Sequence, residues 1–294
     1  MTSMPVERGK IREYAAATGN ARPEYMNDPC PPIPPTFLST VVFWDTVGDV
    51  FASRDAVDAF AAAGITPGWE GLLSVEQEYR FDGALPCAGD TLELVRRFDG
   101  VETKEGRRGG RMVFVRFAIE FRDGDGSVRA ECRYRSAYLG AAASSAAPRS
   151  SGGSGARPPA ADAARPASDL PERRFGPVTM TDIVRYQGAS GDFNPMHHDD
   201  ALARSAGYPE AFSVGMLTAG YLATACTDVY GTESVRRFGV RFRDLVWRGD
   251  ALVAAGTIRG EQVVGGERRV VLDLSMTTEG GSTPVTGVAE FALP

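Results

Sequence analysis

Lysine stands at only two positions, Lys10 and Lys104, so almost all the positive charge is arginine. The net charge is −6, which leaves no overall basic field to draw in nucleic acid. Histidine is equally scarce: the chain has two, His197 and His198, and they are adjacent. The four cysteines, Cys30, Cys87, Cys132 and Cys226, are scattered with no Cys-x-x-Cys pair. That spacing argues against a disulfide framework or a structural zinc site and for inert, buried thiols. Long apolar runs are missing too. The longest uncharged run, 211–227, has about 17 residues and is rich in Gly, Ala and Thr. It reads as a buried central helix rather than a membrane span. The opening MTSMPVERGK has no apolar signal-peptide core, so a cytoplasmic protein with no membrane partner is expected.

The 294 residues are 43% hydrophobic, enough for a sizeable core and one large or two ordinary domains. Residues 141–170, AAASSAAPRSSGGSGARPPAADAARPASDL, carry almost no large apolar side chain. Such a segment cannot bury enough surface to offset its ordering entropy. The reading is a flexible linker at 141–170 between an N-terminal domain, 1–140, and a C-terminal domain, 171–294.

The two domains echo each other. VERGKIREYAAATGNARPEYM begins at Val6 and VTMTDIVRYQGASGDFNPMHH at Val178. Without a gap, Val6 faces Val178, Ile11 faces Ile183, Tyr14 faces Tyr186, Gly19 faces Gly191 and Pro23 faces Pro195. A second match follows in the same order: EYRFDGALPCAGDTLEL resembles VRFRDLVWRGDALVA, each with Gly-Asp leading into a strand. Two copies of one fold are expected.

Each copy reads the same way. A short helix comes first, 7–17 and 182–189, the latter capped by Thr181. In the second copy Asp199 caps a further helix at 200–205. A longer helix follows, 36–47 and 215–229, apolar around most of its circumference and therefore enclosed. Phe238, Val240 and Phe242 alternate with Arg237, Gly239 and Arg241, the period of a half-buried strand. Further strands are expected at 71–81, 91–101, 110–122, 127–139, 250–259, 267–278 and 284–293. Buried helix plus antiparallel strands gives an α+β arrangement, a sheet wrapped around a helix.

Chemistry concentrates in ASGDFNPMHHDD, which begins at Ala189. Adjacent histidines point well apart on a helix or a strand and rarely ligate one ion together; with no third histidine and no nearby cysteine, no metal is assigned. An acid/base pair fits better. Asp192 and His197 flank Asn194-Pro195; Pro195 forces Asn194 to be extended, and the Asn side chain can fix the turn. Both reactive side chains can then enter one pocket. Asp199 and Asp200 read as helix-start residues, and His198 as a neighbour.

The string Ser190-Gly191-Asp192-Phe193-Asn194-Pro195-Met196-His197-His198-Asp199, with Gly215-Met216-Leu217 after it, resembles the hydratase-2 motif. That motif marks MaoC-like dehydratases and (R)-specific enoyl-CoA hydratases. Together the two copies resemble a fusion of the two subunits of a bacterial (3R)-hydroxyacyl-ACP dehydratase, the first copy on Ile11–Ala15 and the turn before Gly89-Asp90. The resemblance implies a double hot-dog fold and reversible dehydration of (3R)-3-hydroxyacyl thioesters, on CoA or a carrier protein, without a cofactor. It assigns Asp192 and His197 as catalytic, the Gly215 N–H as oxyanion donor, and Asn194 and Pro195 as positioning residues. Val214 departs from the family, where histidine often precedes the Gly-Met pair. In the first copy Asn20, Arg22 and Tyr25 stand where Asp192, Asn194 and His197 stand, so that copy is expected to shape a shared tunnel without catalysing.

Two other classes share parts of this pattern. A hot-dog thioesterase usually carries its acid on the central helix, and 215–227 has none. A non-catalytic thioester-binding partner fits the first copy but not Asp192 and His197. Arg236, Arg237, Arg241 and Arg248 are candidate contacts for a CoA phosphate or an acidic carrier; a solvated strand face explains them equally. A homodimer of double hot-dogs is the expected assembly.

Overall fold

The computed structural model describes residues 2–43, 48–66, 72–105, 111–139 and 169–294. Most of the 141–170 linker lies outside them. Its last two residues do not behave as linker: Asp169 N–H donates to the Gly256 carbonyl at 2.7 Å and Leu170 is buried.

In the first half, β1 (Thr2–Pro5), α1 (Arg8–Ala17) and α2 (Pro23–Asn27) lead to a 3-10 segment, Phe37–Phe43. Helices α3 (Gly48–Phe51) and α4 (Arg54–Ala63) follow, then β2 (Leu72–Phe81), β3 (Thr91–Glu105), β4 (Arg111–Arg122) and β5 (Val128–Leu139). In the second half come β6 (Arg173–Phe175), α5 (Met180–Ser190), a 3-10 turn (Pro195–His197), α6 (Asp200–Ser205) and α7 (Gly215–Tyr230). Strands β7 (Val235–Phe242), β8 (Leu252–Val264), β9 (Glu267–Thr278) and β10 (Val285–Ala292) complete it.

All ten strands form one antiparallel sheet in the order β1-β3-β4-β5-β2-β7-β10-β9-β8-β6. The order is the same read outward from the central β2–β7 pair in either direction, as a two-fold repeat requires. Fine detail repeats as well. Val6 exchanges backbone bonds with Gly89 and Asp90, and Val178 with Gly249 and Asp250. In both turns the aspartate carboxylate accepts the N–H three residues back, from Cys87 and from Trp247. Tyr14 and Tyr186, partners in the sequence repeat, meet across the axis with hydroxyls 3.1 Å apart.

Two expectations about helices need correction. The cap of α5 is Thr179, not Thr181: Thr179 and Asp182 form a reciprocal capping box, each side chain taking the other's N–H. Of the first-half helix expected at 36–47, residues 44–47 lie outside the described residues and separate helices start at Gly48 and Arg54; the part that is described is a 3-10 segment, Phe37–Phe43. Its β-branched Thr40, Val41 and Val42 are weak helix formers, and Pro34-Pro35 fix extended backbone just ahead. Strands β1 and β6, too short to show a period, were not foreseen. By contrast α7 runs unbroken and is buried from Met216 to Thr227.

The halves lock together through α7. Thr224 Oγ1 donates to the Thr18 carbonyl at 3.0 Å, and Arg22 Nη1 to the Thr227 carbonyl at 2.6 Å. Gly220 lets them come this close, because a Cβ there would stand 2.4 Å from Thr18 Cγ2. Gly220→Ala is therefore expected to destabilise by about 1–3 kcal/mol through overpacking, although alanine is the better helix former. Thr18→Ser removes the offending methyl and should recover most of the loss. Urea unfolding of the four-member cycle measures the coupling; additive effects would show that the two residues do not meet.

Candidate active site

Asp192 and His197 come together. The α5 helix ends at Gly191, whose φ of 82° turns the chain in the left-handed region where glycine is at ease. Asp192 Oδ1 then accepts the Asn194 N–H at 3.2 Å, and Asn194 Oδ1 accepts the Met196 N–H at 3.0 Å. Pro195 opens the 3-10 turn, which carries His197 back over Asp192. His197 Nε2 lies 4.0 Å from Asp192 Oδ2, and each side chain is only 12% exposed.

The surroundings set the protonation. His197 Nδ1–H donates to the Phe212 carbonyl at 3.0 Å, so in the neutral ring the free lone pair is on Nε2, facing Asp192. The Phe212 ring meets the imidazole edge to face at 5.2 Å and is itself flanked by Tyr208 and Trp247. Burial holds the His197 pKa below the ordinary imidazole value, against the pull of Asp192. Burial likewise raises the Asp192 carboxyl, against His197 and the Asn194 N–H. The two shifts bring the two groups toward each other, which lowers the cost of holding a protonated acid beside a neutral base relative to the ion pair.

Gln187 was missed by sequence reasoning. It is 2% exposed. Its Nε2 donates to the carbonyls of Asp192 (2.8 Å) and Asn194 (3.1 Å), clamping the turn from beneath. Its Oε1 faces His198 Nδ1 at 3.0 Å, which gives the second histidine a positioning role. The available signal was a polar residue one helical turn after Ile183, on the apolar stripe of α5. The Phe212 carbonyl left no signal, because any residue supplies one.

Asp199 caps α6 as expected, accepting from Ala201 and Leu202 N–H. Gly215 opens α7, where the first N–H groups have no i−4 carbonyl to bond; Leu217 N–H is already taken by the Val214 carbonyl at 3.0 Å. Phe43 of the first half lies against Gly191, where the turn begins. The first half's own copy of the turn is closed. Asn20 Oδ1 still accepts the Arg22 N–H at 3.3 Å, but Tyr25 is fully buried with its hydroxyl on Thr232 Oγ1 at 3.1 Å.

The arginines are not brought to the pair. Arg237 and Arg241 alternate with Phe238, Val240 and Phe242, and Phe242 is the residue facing Gly215. They therefore project from the opposite face of the sheet. There they line a groove of about 880 Å³ and pair with Glu78, Glu290 and Glu76. Arg236 holds Glu267 in a bidentate pair, and Arg248 holds Asp200 and Glu210. Among the described residues no helix is long and apolar enough to cross a membrane.

Comparison with known proteins agrees with this layout. Residues 163–280 match the family described as MaoC like domain, and residues 1–131 match FAS1-like, dehydratase domain region. The chain is 32% identical over 99 residues to the peroxisomal hydratase-dehydrogenase-epimerase of Saccharomyces cerevisiae, covering 34% of this chain and 11% of that protein. It is 31% identical over 78 residues to the peroxisomal enoyl-CoA hydratase 2 of Arabidopsis thaliana, covering 26% of this chain and 25% of that one. The matches thus span about a tenth and a quarter of those relatives. A solved MaoC-like dehydratase from Phytophthora capsici superposes with a TM-score of 0.69 at 18% identity, over 99% of this chain and 94% of that one. A Mycobacterium tuberculosis protein described as having a double hot-dog fold superposes at 0.61 and 14% identity, over 99% and 93%. The fold is a double hot-dog.

Proposed function

From a chain made of a FAS1-like dehydratase region followed by a MaoC-like domain, we propose a hydro-lyase. It interconverts (3R)-3-hydroxyacyl and trans-2-enoyl thioesters carried on CoA or on a carrier protein. The observation that carries the reading is the His197 Nε2 lone pair held 4.0 Å from a buried Asp192 carboxyl. In dehydration Nε2 takes the C2 proton, and protonated Asp192, directly or through a water, gives its proton to the departing 3-hydroxyl. Hydration returns both protons by the same route. Negative charge develops on the thioester oxygen, where the Gly215 N–H stabilises it with the positive end of α7 behind it.

Domain roles follow. Residues 171–294 hold the chemistry, and residues 1–140 close and shape the tunnel beside it, tied across by 141–170. A thioesterase reading lacks support: the acid on α7, Asp228, sits in its last turns and pairs with Arg173.

The test uses the full chain with crotonyl-CoA and longer trans-2-enoyl thioesters. Enone absorbance is expected to fall without thiol release, giving the (3R)-hydroxyacyl product on chiral analysis. Thiol release instead would make the protein a thioesterase, and no turnover of any enoyl thioester would sink the proposal. Presenting one acyl group on CoA and on a carrier protein then decides the carrier.

A further inference from the structure

Cys30 and Cys87, expected from the sequence to be inert, buried thiols, are brought together by the fold, with Cys30 exposed. Cys30 follows α2, and Cys87 lies in the turn between β2 and β3, 57 residues on. Their Sγ atoms are 2.9 Å apart. The backbone holds them in register: Pro32 bridges antiparallel to Cys87, Ile33 N–H donates to the Pro86 carbonyl and Ala88 N–H to the Pro31 carbonyl. Each cysteine is also pinned by its own turn, Cys30 N–H to Asp28 at 2.8 Å and Cys87 N–H to Asp90 at 2.9 Å. A disulfide is about 2.05 Å long, so closure asks for side-chain movement of about 1 Å.

The fold itself does not demand sulfur here. In the second half, Trp247 holds the place of Cys87, bonded to Asp250 as Cys87 is to Asp90, and it bridges to Phe212 as Cys87 does to Pro32. The remaining cysteines, Cys132 and Cys226, are buried in the core, whereas Cys30 is exposed and Cys87 half-buried.

We propose that Cys30 and Cys87 are a redox-active dithiol that closes to an intramolecular disulfide on meeting a low-molecular-weight disulfide. The Cys30 thiolate attacks the disulfide RS–SR; an Sγ–S bond forms and one thiolate, RS⁻, leaves. Cys87 then loses its proton to solvent and attacks Cys30 Sγ, expelling the second thiol. Two protein thiols are oxidised and one disulfide is reduced to two thiols. Burial and the Cys30 neighbour push the Cys87 thiol up to about 12, so closure is the slower step and quickens with pH. The bond would staple the Pro-rich 31–35 segment, which leads into the 3-10 segment Phe37–Phe43, to the β2–β3 turn.

The experiment incubates the full chain with oxidised glutathione and analyses it unreduced by mass spectrometry. Expected are an intact mass lower by two hydrogens, a Cys30–Cys87 linked peptide, two alkylatable thiols left after denaturation, and a higher thermal midpoint. In Cys87→Ser the reaction should stop at a glutathione adduct on Cys30. Cys30→Ser should leave Cys87 largely unmodified. The wild-type chain alone decides the matter, whether or not the variants fold. A stable Cys30–glutathione adduct in the wild type, a Cys30-linked dimer, or four unmodified thiols would overturn the proposal.

Discussion

Replacing His197 by alanine is expected to lower turnover of an enoyl thioester by about 10²–10⁴-fold, the usual contribution of a positioned general base. Asp192→Asn should cost a comparable factor, because the amide keeps the turn but cannot move a proton. Its carbonyl oxygen still accepts the Asn194 N–H that Asp192 takes at 3.2 Å, so a folding defect is not the expected cause. The double variant should be little worse than either single one, since the two groups work as a unit. Steady-state rates with circular dichroism on the same samples check this. Full activity in either folded variant would remove that residue from the site.

The same pair predicts a pH profile. In the proposed mechanism the competent form for dehydration carries one proton, on Asp192, with His197 neutral. As pH falls the imidazole gains a proton and the base is lost; as pH rises the carboxyl loses its proton and the acid is lost. Burial lowers the His197 pKa and raises that of Asp192, so the acid limb lies below the ordinary imidazole range and the alkaline limb above the ordinary carboxylate range. In Asp192→Asn the alkaline limb should vanish while the acid limb stays. The pH dependence of kcat/KM for both proteins separates these limbs; an alkaline limb kept by the variant would belong to another group.

Much of this site was legible because its parts are local. Asp192, Asn194, Pro195 and His197 lie within one turn, and proline and Asx geometry constrain such a turn strongly enough to be read from residue types. The repeat was legible for a related reason: Val6, Tyr14 and Gly19 recur at one offset; Val6 and Val178 make matching backbone bonds, Tyr14 and Tyr186 meet through their hydroxyls, and Gly19 and Gly191 both take positive φ as their helices end. What escaped depends on distance through space. Cys30 and Cys87 become neighbours only once β2 has returned the chain to the start of the fold. Arg237 and Arg241 looked free because Glu78 and Glu76, which neutralise them, come from the other half across the β2–β7 seam. The cap of α5 carries its own local signal: Thr179-x-x-Asp182 is a capping-box pattern, and Thr181 opens none.

Removing the Gly215 N–H is the second change with a large expected effect, and two substitutions isolate it. Gly215→Pro deletes the donor at a position that otherwise tolerates proline. It is the first residue of α7, where proline's fixed φ suits the helix, and Val214 before it is already extended at φ −69° and ψ 125°. Either new side chain meets the same obstacle, because a Cβ on Gly215 stands 3.0 Å from the Phe242 ring. Gly215→Ala therefore carries the steric cost and keeps the N–H. The alanine variant is expected to lose activity modestly as the ring shifts. The proline variant should fall a further 10²–10³-fold or so in kcat, about 3–4 kcal/mol of transition-state stabilisation, with a smaller change in KM. Phe242→Leu should relieve the alanine variant and leave the proline variant slow, because space returns and the donor does not. Equal rates for the proline and alanine variants would mean that the thioester oxygen is stabilised elsewhere, and the next N–H of the α7 first turn, at Met216, would be the one to test, since Leu217 N–H is held by the Val214 carbonyl.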